Sequence, residues 1–199
     1  MALENGERSR VLIIGETSYF GRRLVKANLA FGHETYVQYR AQTASDINKV
    51  ETLISFKSQG AHLVDASIEN HTSPVNVVKR VEVVISAMGA EGLREGQMKV
   101  IEAIKEAGTV KRFLPSEFGM DPDRMEHAIY PGNEVFSDKR AVRRAIEATG
   151  IPYTYVSANC SAGYFLASLA QMEHFMPPRD GSITLYGDGN KKGKDTNPF

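Results

Sequence analysis

RVLIIGETSYFG, residues 10 to 21, is the stretch that decides the fold. Its opening residues form a nearly continuous apolar run rather than a strict alternation, which is the pattern of a strand covered by helices on both faces. A segment with helical spacing, GRRLVKANLAFG, begins at Gly21. Between strand and helix lies a short turn bounded by glycines. A dinucleotide-binding turn needs glycine at three points: the tight turn, the place where backbone meets pyrophosphate, and the place where helix packs on strand. Gly15 and Gly21 fill the outer two. Ser18 stands at the middle one, where its Cβ obstructs a phosphate that its hydroxyl can also hydrogen-bond. Glu16 adds a carboxylate beside the same site, and two anions close together in low dielectric repel by several kcal/mol unless screened or turned outward. Two glycines six apart are a weak signal alone, and the position between a first strand and a first helix is what gives them force.

The pattern repeats along the chain. ETYVQYR (34 to 40), AHLVDAS (61 to 67), VEVVISA (81 to 87), KRFLPS (111 to 116) and PYTYVSAN (152 to 159) read as further strands, rich in β-branched and aromatic residues. Helical segments alternate with them: DINKVETLISFKSQG, SPVNVVKR, REGQMKVIEAIKEAG and EVFSDKRAVRRAIEATG. In REGQMKVIEAIKEAG, Met98, Ile101 and Ile104 recur every three residues, and Val100 and Ala103 widen the stripe. Ser73 before Pro74 is a helix start, and Gly32, Gly60, Gly108 and Gly150 sit where helices end. Six strands alternating with five helical segments predict an α/β fold of the Rossmann type, a doubly wound and mostly parallel sheet. Right-handed crossovers then place the ligand crevice at the carboxyl ends of the strands.

The second strand ends in Arg40, 25 positions after Gly15. An acidic residue there would bind the ribose hydroxyls of NAD, whereas Arg suits a 2′-phosphate, so NADPH is the expected cofactor. Lys49 at the start of the next helix is placed to join it, or to remain a solvated surface lysine.

The chain has 199 residues and a formal net charge of zero, from 24 basic and 24 acidic side chains, with 42% hydrophobic residues. A globular domain is expected, and a phosphate-neutralising grip on nucleic acid is not. No apolar run approaches the length of a membrane span. MALENGERSR has neither a secretory core nor transit-peptide character, and the single cysteine, Cys160, fits a reducing compartment, so a cytoplasmic protein is expected. Five scattered histidines without ligand spacing point to no metal. Asp121 and Asp123 lack the glycine and glutamate of a calcium loop.

Longer strings carry a resemblance. GRRLVKANLAFGHETYV (21 to 37), DINKVETLISFKSQGAHLV (46 to 64), VVISAMG (83 to 89), VKRFLPSEFGMDPDRMEHA (110 to 128) and DKRAVRRAIEATGIPYTYVSANCSAGYF (138 to 165) resemble the plant isoflavone-reductase-like NADPH reductases. This is an atypical, NmrA-like group of short-chain dehydrogenases, and within it the strings look most like pinoresinol-lariciresinol reductases, with isoflavone reductase close behind. The resemblance implies that Gly15, Ser18 and Gly21 are the family's glycine loop, with Thr17, Tyr19 and Phe20 lining the cofactor phosphates. It implies Arg40 and Lys49 as the NADPH-selecting pair, Lys139 as the catalytic lysine, and Arg143, one turn later, as a further cofactor contact. Ser161 departs from the aromatic that relatives show in NCFAGYF.

The usual short-chain dehydrogenase has Tyr four residues before its Lys, and here that position is Val135. Lys139 must then act itself, with a pKa lowered by burial or by neighbouring cations such as Arg140 and Arg143. The expected reaction is removal of a substrate phenol's proton, opening of a benzylic ether to a quinone methide, and hydride addition from the nicotinamide. The substrate is a lignan or an isoflavonoid. Met120 and Met125 are expected as soft pocket walls, with Phe165 as a weaker candidate.

Residues 1 to 175 are expected to form the cofactor domain, and 176 to 199 the start of a substrate region ending in a polar tail, because family members run substantially longer. SITLY (182 to 186) would then be a strand with an unpaired edge, prone to association into a homodimer. A rival expectation is a catalytically silent NADP-binding protein, favoured by Ser18, Glu16 and the early end.

Overall fold

Arg10–Ile14 forms β1, and after its exposed first residue the strand is buried throughout. The computed structural model describes residues 8–40, 45–65, 72–89, 93–130, 132–159 and 190. Within them β1 is followed in order by α1 (Tyr19–Ala30), β2 (Glu34–Tyr39), α2 (Ile47–Ser58), β3 (His62–Asp65), α3 (Thr72–Val78), β4 (Val83–Ser86), α4 (Leu93–Ala107), β5 (Arg112–Leu114) and α5 (Asn133–Thr149). The sheet order is β3-β2-β1-β4-β5, and every pairing is parallel. The order reverses between β1 and β4, so the crevice opens at their carboxyl ends, where the glycine turn lies.

The period-2 geometry of a strand explains why β1 is apolar on both faces. Leu12 and Ile14 join a cluster with Val84, Phe113, Val100, Ile101, Ile104, Val142 and Ile146, drawn from β4, β5, α4 and α5. Val11 and Ile13 join a second cluster with Val25, Val37, Leu53 and Phe56, from α1, β2 and α2. Burying each of these side chains contributes about 1.5–3 kcal/mol, and beyond Arg10 both faces of β1 are covered. The stripe on α4 is buried as its spacing requires, with Met98 partly covered.

The chain divides into two units, residues 1–159 and 160–199. The expected strand at 152 to 159 is a correction: it is reduced to an isolated parallel bridge between Phe113 and Tyr153. Phe113 N–H donates to Pro152 O at 2.8 Å and Thr154 N–H to Phe113 O at 2.9 Å. Pro152 has no N–H to extend the ladder, and Pro115 ends β5 on the other side. The expectations at Cys160, Ser161, Phe165 and the SITLY strand lie outside the described residues. No helix among the described residues is long and apolar enough to cross a membrane.

Candidate active site

The turn after β1 is built from bare backbone. Gly15 adopts φ +80°, and a Cβ there would meet Ala87 O at 2.5 Å. Ala87 N–H donates to Ile14 O at 2.7 Å, which draws the ends of β1 and β4 together. Ser18 is the N-cap of α1, and its Oγ accepts the Gly21 N–H at 3.0 Å. The middle-position hydroxyl therefore caps the helix. The first turn of α1 carries no acidic side chain, so its N–H groups and dipole suit an anion. These features fit the diphosphate of a dinucleotide. Phe20 stacks on Phe118 with centroids 5.4 Å apart, tying the turn to the segment after β5, and Tyr19 packs edge-on against Phe20 beneath the Arg23 guanidinium. Thr17 is half-buried in the turn.

Glu16 does not turn outward, which was one of the two ways a carboxylate could be accommodated here. It is only 6% exposed. Burial pushes its carboxyl up to about 7, against the opposing pull of nearby backbone N–H groups and of the Arg40 and Lys49 charges. Arg40 and Lys49 are themselves exposed, and Lys49 reaches Asp46, the N-cap of α2, at 3.3 Å. Because the folded protein prefers Glu16 protonated and the unfolded chain has an ordinary carboxyl near 4.5, the native state binds the extra proton between those pKa values. Stability due to Glu16 is therefore full below about pH 4.5 and falls as pH rises toward 7. We expect Glu16→Gln to gain about 2 kcal/mol on the wild type between pH 5 and pH 8 in urea unfolding. A difference between the two proteins that does not change with pH would refute this.

Lys139 lies half-buried on α5 and its Nζ donates to the carbonyl oxygen of Glu117 at 2.7 Å. Burial lowers its pKa, with the Glu117 charge opposing and the Arg143 charge adding. The carbonyl it meets is tightly fixed. Ser116 N–H donates to Gln97 Oε1 at 2.7 Å and Ser116 Oγ to Met88 O at 2.7 Å, while Phe118 N–H donates to Val156 O at 3.0 Å. Phe118 itself holds φ +37°, a conformation uncommon outside glycine. Val135, at the place of the missing Tyr, is one turn before Lys139 on the same helix and 36% exposed.

Arg143 is engaged by the protein itself. Its Nε and Nη2 donate to the two oxygens of Glu117 at 3.1 and 2.9 Å, and its Nη1 donates to Asp121 at 2.7 Å and Asp123 at 2.9 Å. The side chain is only 5% exposed, and its guanidinium carbon lies 4.4 Å from the Tyr155 ring centroid. Burial alone would raise the Asp121 pKa, but N–H donation from Asp123 and Arg143 outweighs it and holds the carboxyl below its ordinary range. These contacts give Arg143 a structural task, anchoring the segment that carries the Glu117 carbonyl. Sequence reasoning missed Glu117 and Gln97. The signal for Glu117 was a balance of charges, since its segment adds Asp121 and Asp123 while the helix offers Arg140, Arg143 and Arg144. Arg140 donates to Pro122 O and Arg144 to Asp123. Met120 and Met125 lie half-buried on the same segment. Among the described residues no cluster of His, Cys, Asp or Glu could hold a metal ion.

The chain has counterparts among known proteins. The chain is 56% identical over 191 residues to bifunctional pinoresinol-lariciresinol reductase 1 of Thuja plicata, covering 94% of this chain and 61% of that one. It is 58% identical over 189 residues to the bifunctional pinoresinol-lariciresinol reductase of Linum album, covering 93% and 58%. Among solved structures, AtPrR2 with NADP+ and (+)pinoresinol superposes with a TM-score of 0.80 at 52% identity, over 88% of this chain and 57% of that one. The chain therefore spans somewhat under two thirds of the length of these relatives. The NmrA-like family model matches residues 7–190, nearly the whole sequence. The protein belongs to the NmrA-like family.

Proposed function

We propose that the chain is the dinucleotide-binding and proton-transfer portion of an NADPH-dependent reductase that opens the benzylic ether of a phenolic lignan of the pinoresinol or lariciresinol type, with isoflavonoids as the next substrate class. One observation carries this reading. Lys139 Nζ sits 2.7 Å from the Glu117 carbonyl with its pKa lowered by burial, beside the same end of the sheet as the glycine turn. Gly15, Thr17, Ser18, Tyr19, Phe20 and Gly21 would hold the diphosphate, and Arg40 with Lys49 the 2′-phosphate. The bound cofactor supplies the hydride. Lys139, as the neutral amine, accepts the proton of the substrate phenol at Nζ, the released electron pair breaks the benzylic carbon–oxygen bond, and the departing ether oxygen takes up a proton from water to become a hydroxyl. Glu117 O then steadies the resulting ammonium. The reading carries with it a cytoplasmic setting, a small aromatic substrate rather than nucleic acid, walls from Met120 and Met125, and self-association into a homodimer.

Lys139→Ala is expected to lower pinoresinol-dependent NADPH oxidation about 100-fold or more, while leaving the NADPH Kd within a few-fold by calorimetry. Equal turnover in the two proteins sinks the assignment. Ser18 and Glu16 favour a second reading, a catalytically silent NADP-binding protein, and tight NADPH binding without any turnover by the wild type would establish it instead.

A further inference from the structure

The parallel pairing of β1 with β2 has a constant offset of 24 residues, from Arg10↔Glu34 to Ile13↔Val37. The two strands run side by side to their carboxyl ends, so the turn that carries Glu16 leaves β1 at the same end of the sheet where Arg40 follows β2. Glu16 is buried, whereas Arg40 and Lys49 on the far side are open to solvent. Both cations act on its carboxyl, as the direction of their influence shows. Lys49 is already shared with Asp46. The result is an internal anion standing against the two charges that an external phosphate would need.

Resting on the NADPH reading, we propose that Glu16 is a cofactor-selectivity residue, a carboxylate that competes with the dinucleotide 2′-phosphate for Arg40 and Lys49 and offers an acceptor to an unphosphorylated ribose. Two physical consequences follow. A dianionic phosphate approaching Arg40 meets the Glu16 charge whenever that buried carboxyl is ionised, so ionised Glu16 weakens NADPH binding. A free 2′-hydroxyl meets a carboxylate, the partner that acidic residues provide in NAD-binding turns, so NADH is not penalised in the same way. The chain then discriminates between the two dinucleotides less than its Arg–Lys pair alone would.

The test is calorimetric titration of the full chain and of Glu16→Gln with NADPH and with NADH at pH 8, after circular dichroism confirms that both are folded. Glutamine keeps the size of the side chain and removes the charge. The expected result is a rise of at least fivefold in the NADPH-over-NADH affinity ratio, arising from tighter NADPH binding. A ratio that changes by less than fivefold while NADPH still binds overturns the selectivity role and leaves the cofactor reading standing. If neither protein binds either dinucleotide, the cofactor reading falls and the selectivity role falls with it. Glu16→Gly serves as a second variant, and a ratio that rises in Gln but not in Gly also overturns the proposal, because loss of charge is common to both.

Discussion

Arg143→Ala is expected to cost about 3–5 kcal/mol of folding stability, the range for removing one partner of a buried ion pair. The carboxylate left behind is the reason. Glu117 has a side chain only 2% exposed, and both of its oxygens accept from Arg143. Without the guanidinium, Glu117 must stay charged and unpaired in the interior or take up a proton. Asp121 and Asp123 are far better hydrated, at 32% and 40% side-chain exposure, and their share of the loss is small. Arg143→Lys should recover little, since one ammonium cannot reproduce the fork that spans Glu117 while also reaching Asp121 and Asp123. Arg143→Met combined with Glu117→Gln should be milder than Arg143→Ala alone, because the pair is neutralised together. Urea unfolding of the four proteins decides it, and a loss below 1 kcal/mol for Arg143→Ala defeats the account. The same variant removes one of the ties on the segment that carries the Glu117 carbonyl, while those through Ser116 and Phe118 remain, so the Lys139 contact should loosen rather than vanish where the protein still folds.

How much of this was legible in the sequence follows from the range over which each interaction acts. The continuous apolar runs RVLIIG and VEVVISA announced strands buried on both faces, because double coverage leaves a local mark on every residue of the strand. Gly150 announced the end of α5, where φ is +72°, since the left-handed conformation is a demand on one residue. The glycine turn was equally local. The Arg143–Glu117 pair was not, because its partners lie 26 positions apart and neither spacing nor composition says which acid an arginine will meet. The spacing does put Arg143 on one helix face with Lys139, and that face looks onto the segment after β5. Glu16 stands out in the sequence as a misplaced charge, but its inward course depends on the packing around the turn after β1, which a sequence does not display. The strand expected at 152 to 159 shrinks to one bridge because Pro152 and Pro115 lack the N–H groups that a longer ladder needs, whatever the apolar character of their neighbours.

Gly21→Ala is the second large effect, expected to destabilise the chain by about 3 kcal/mol or more, at or beyond the upper end for overpacking. A Cβ on Gly21 would lie 2.0 Å from Gly15 O, 2.8 Å from Gly15 C and 2.9 Å from Glu16 Cα. All three are backbone atoms, so no side chain can swing away to make room. Gly15 cannot retreat either, because its own Cα side already faces Ala87 O and Met88 N at the end of β4. The clash can be relieved only by lifting the start of α1 off the sheet. Val25, fully buried one turn along, would then leave its contacts with Ile13, Val37 and Phe56. Gly89→Ala is the control, as nothing lies within 4 Å of a Cβ there, and its effect should stay within about 0.5 kcal/mol. Lifting α1 also moves the N–H groups that would face the cofactor diphosphate, so Gly21→Ala should weaken NADPH binding as well as folding, whereas Gly89→Ala should do neither. Thermal unfolding with and without NADPH reads both effects in one experiment, and a Gly21→Ala protein with wild-type stability and an undiminished shift on adding NADPH would show that α1 does not rest on the turn as closely as the 2.0 Å approach requires.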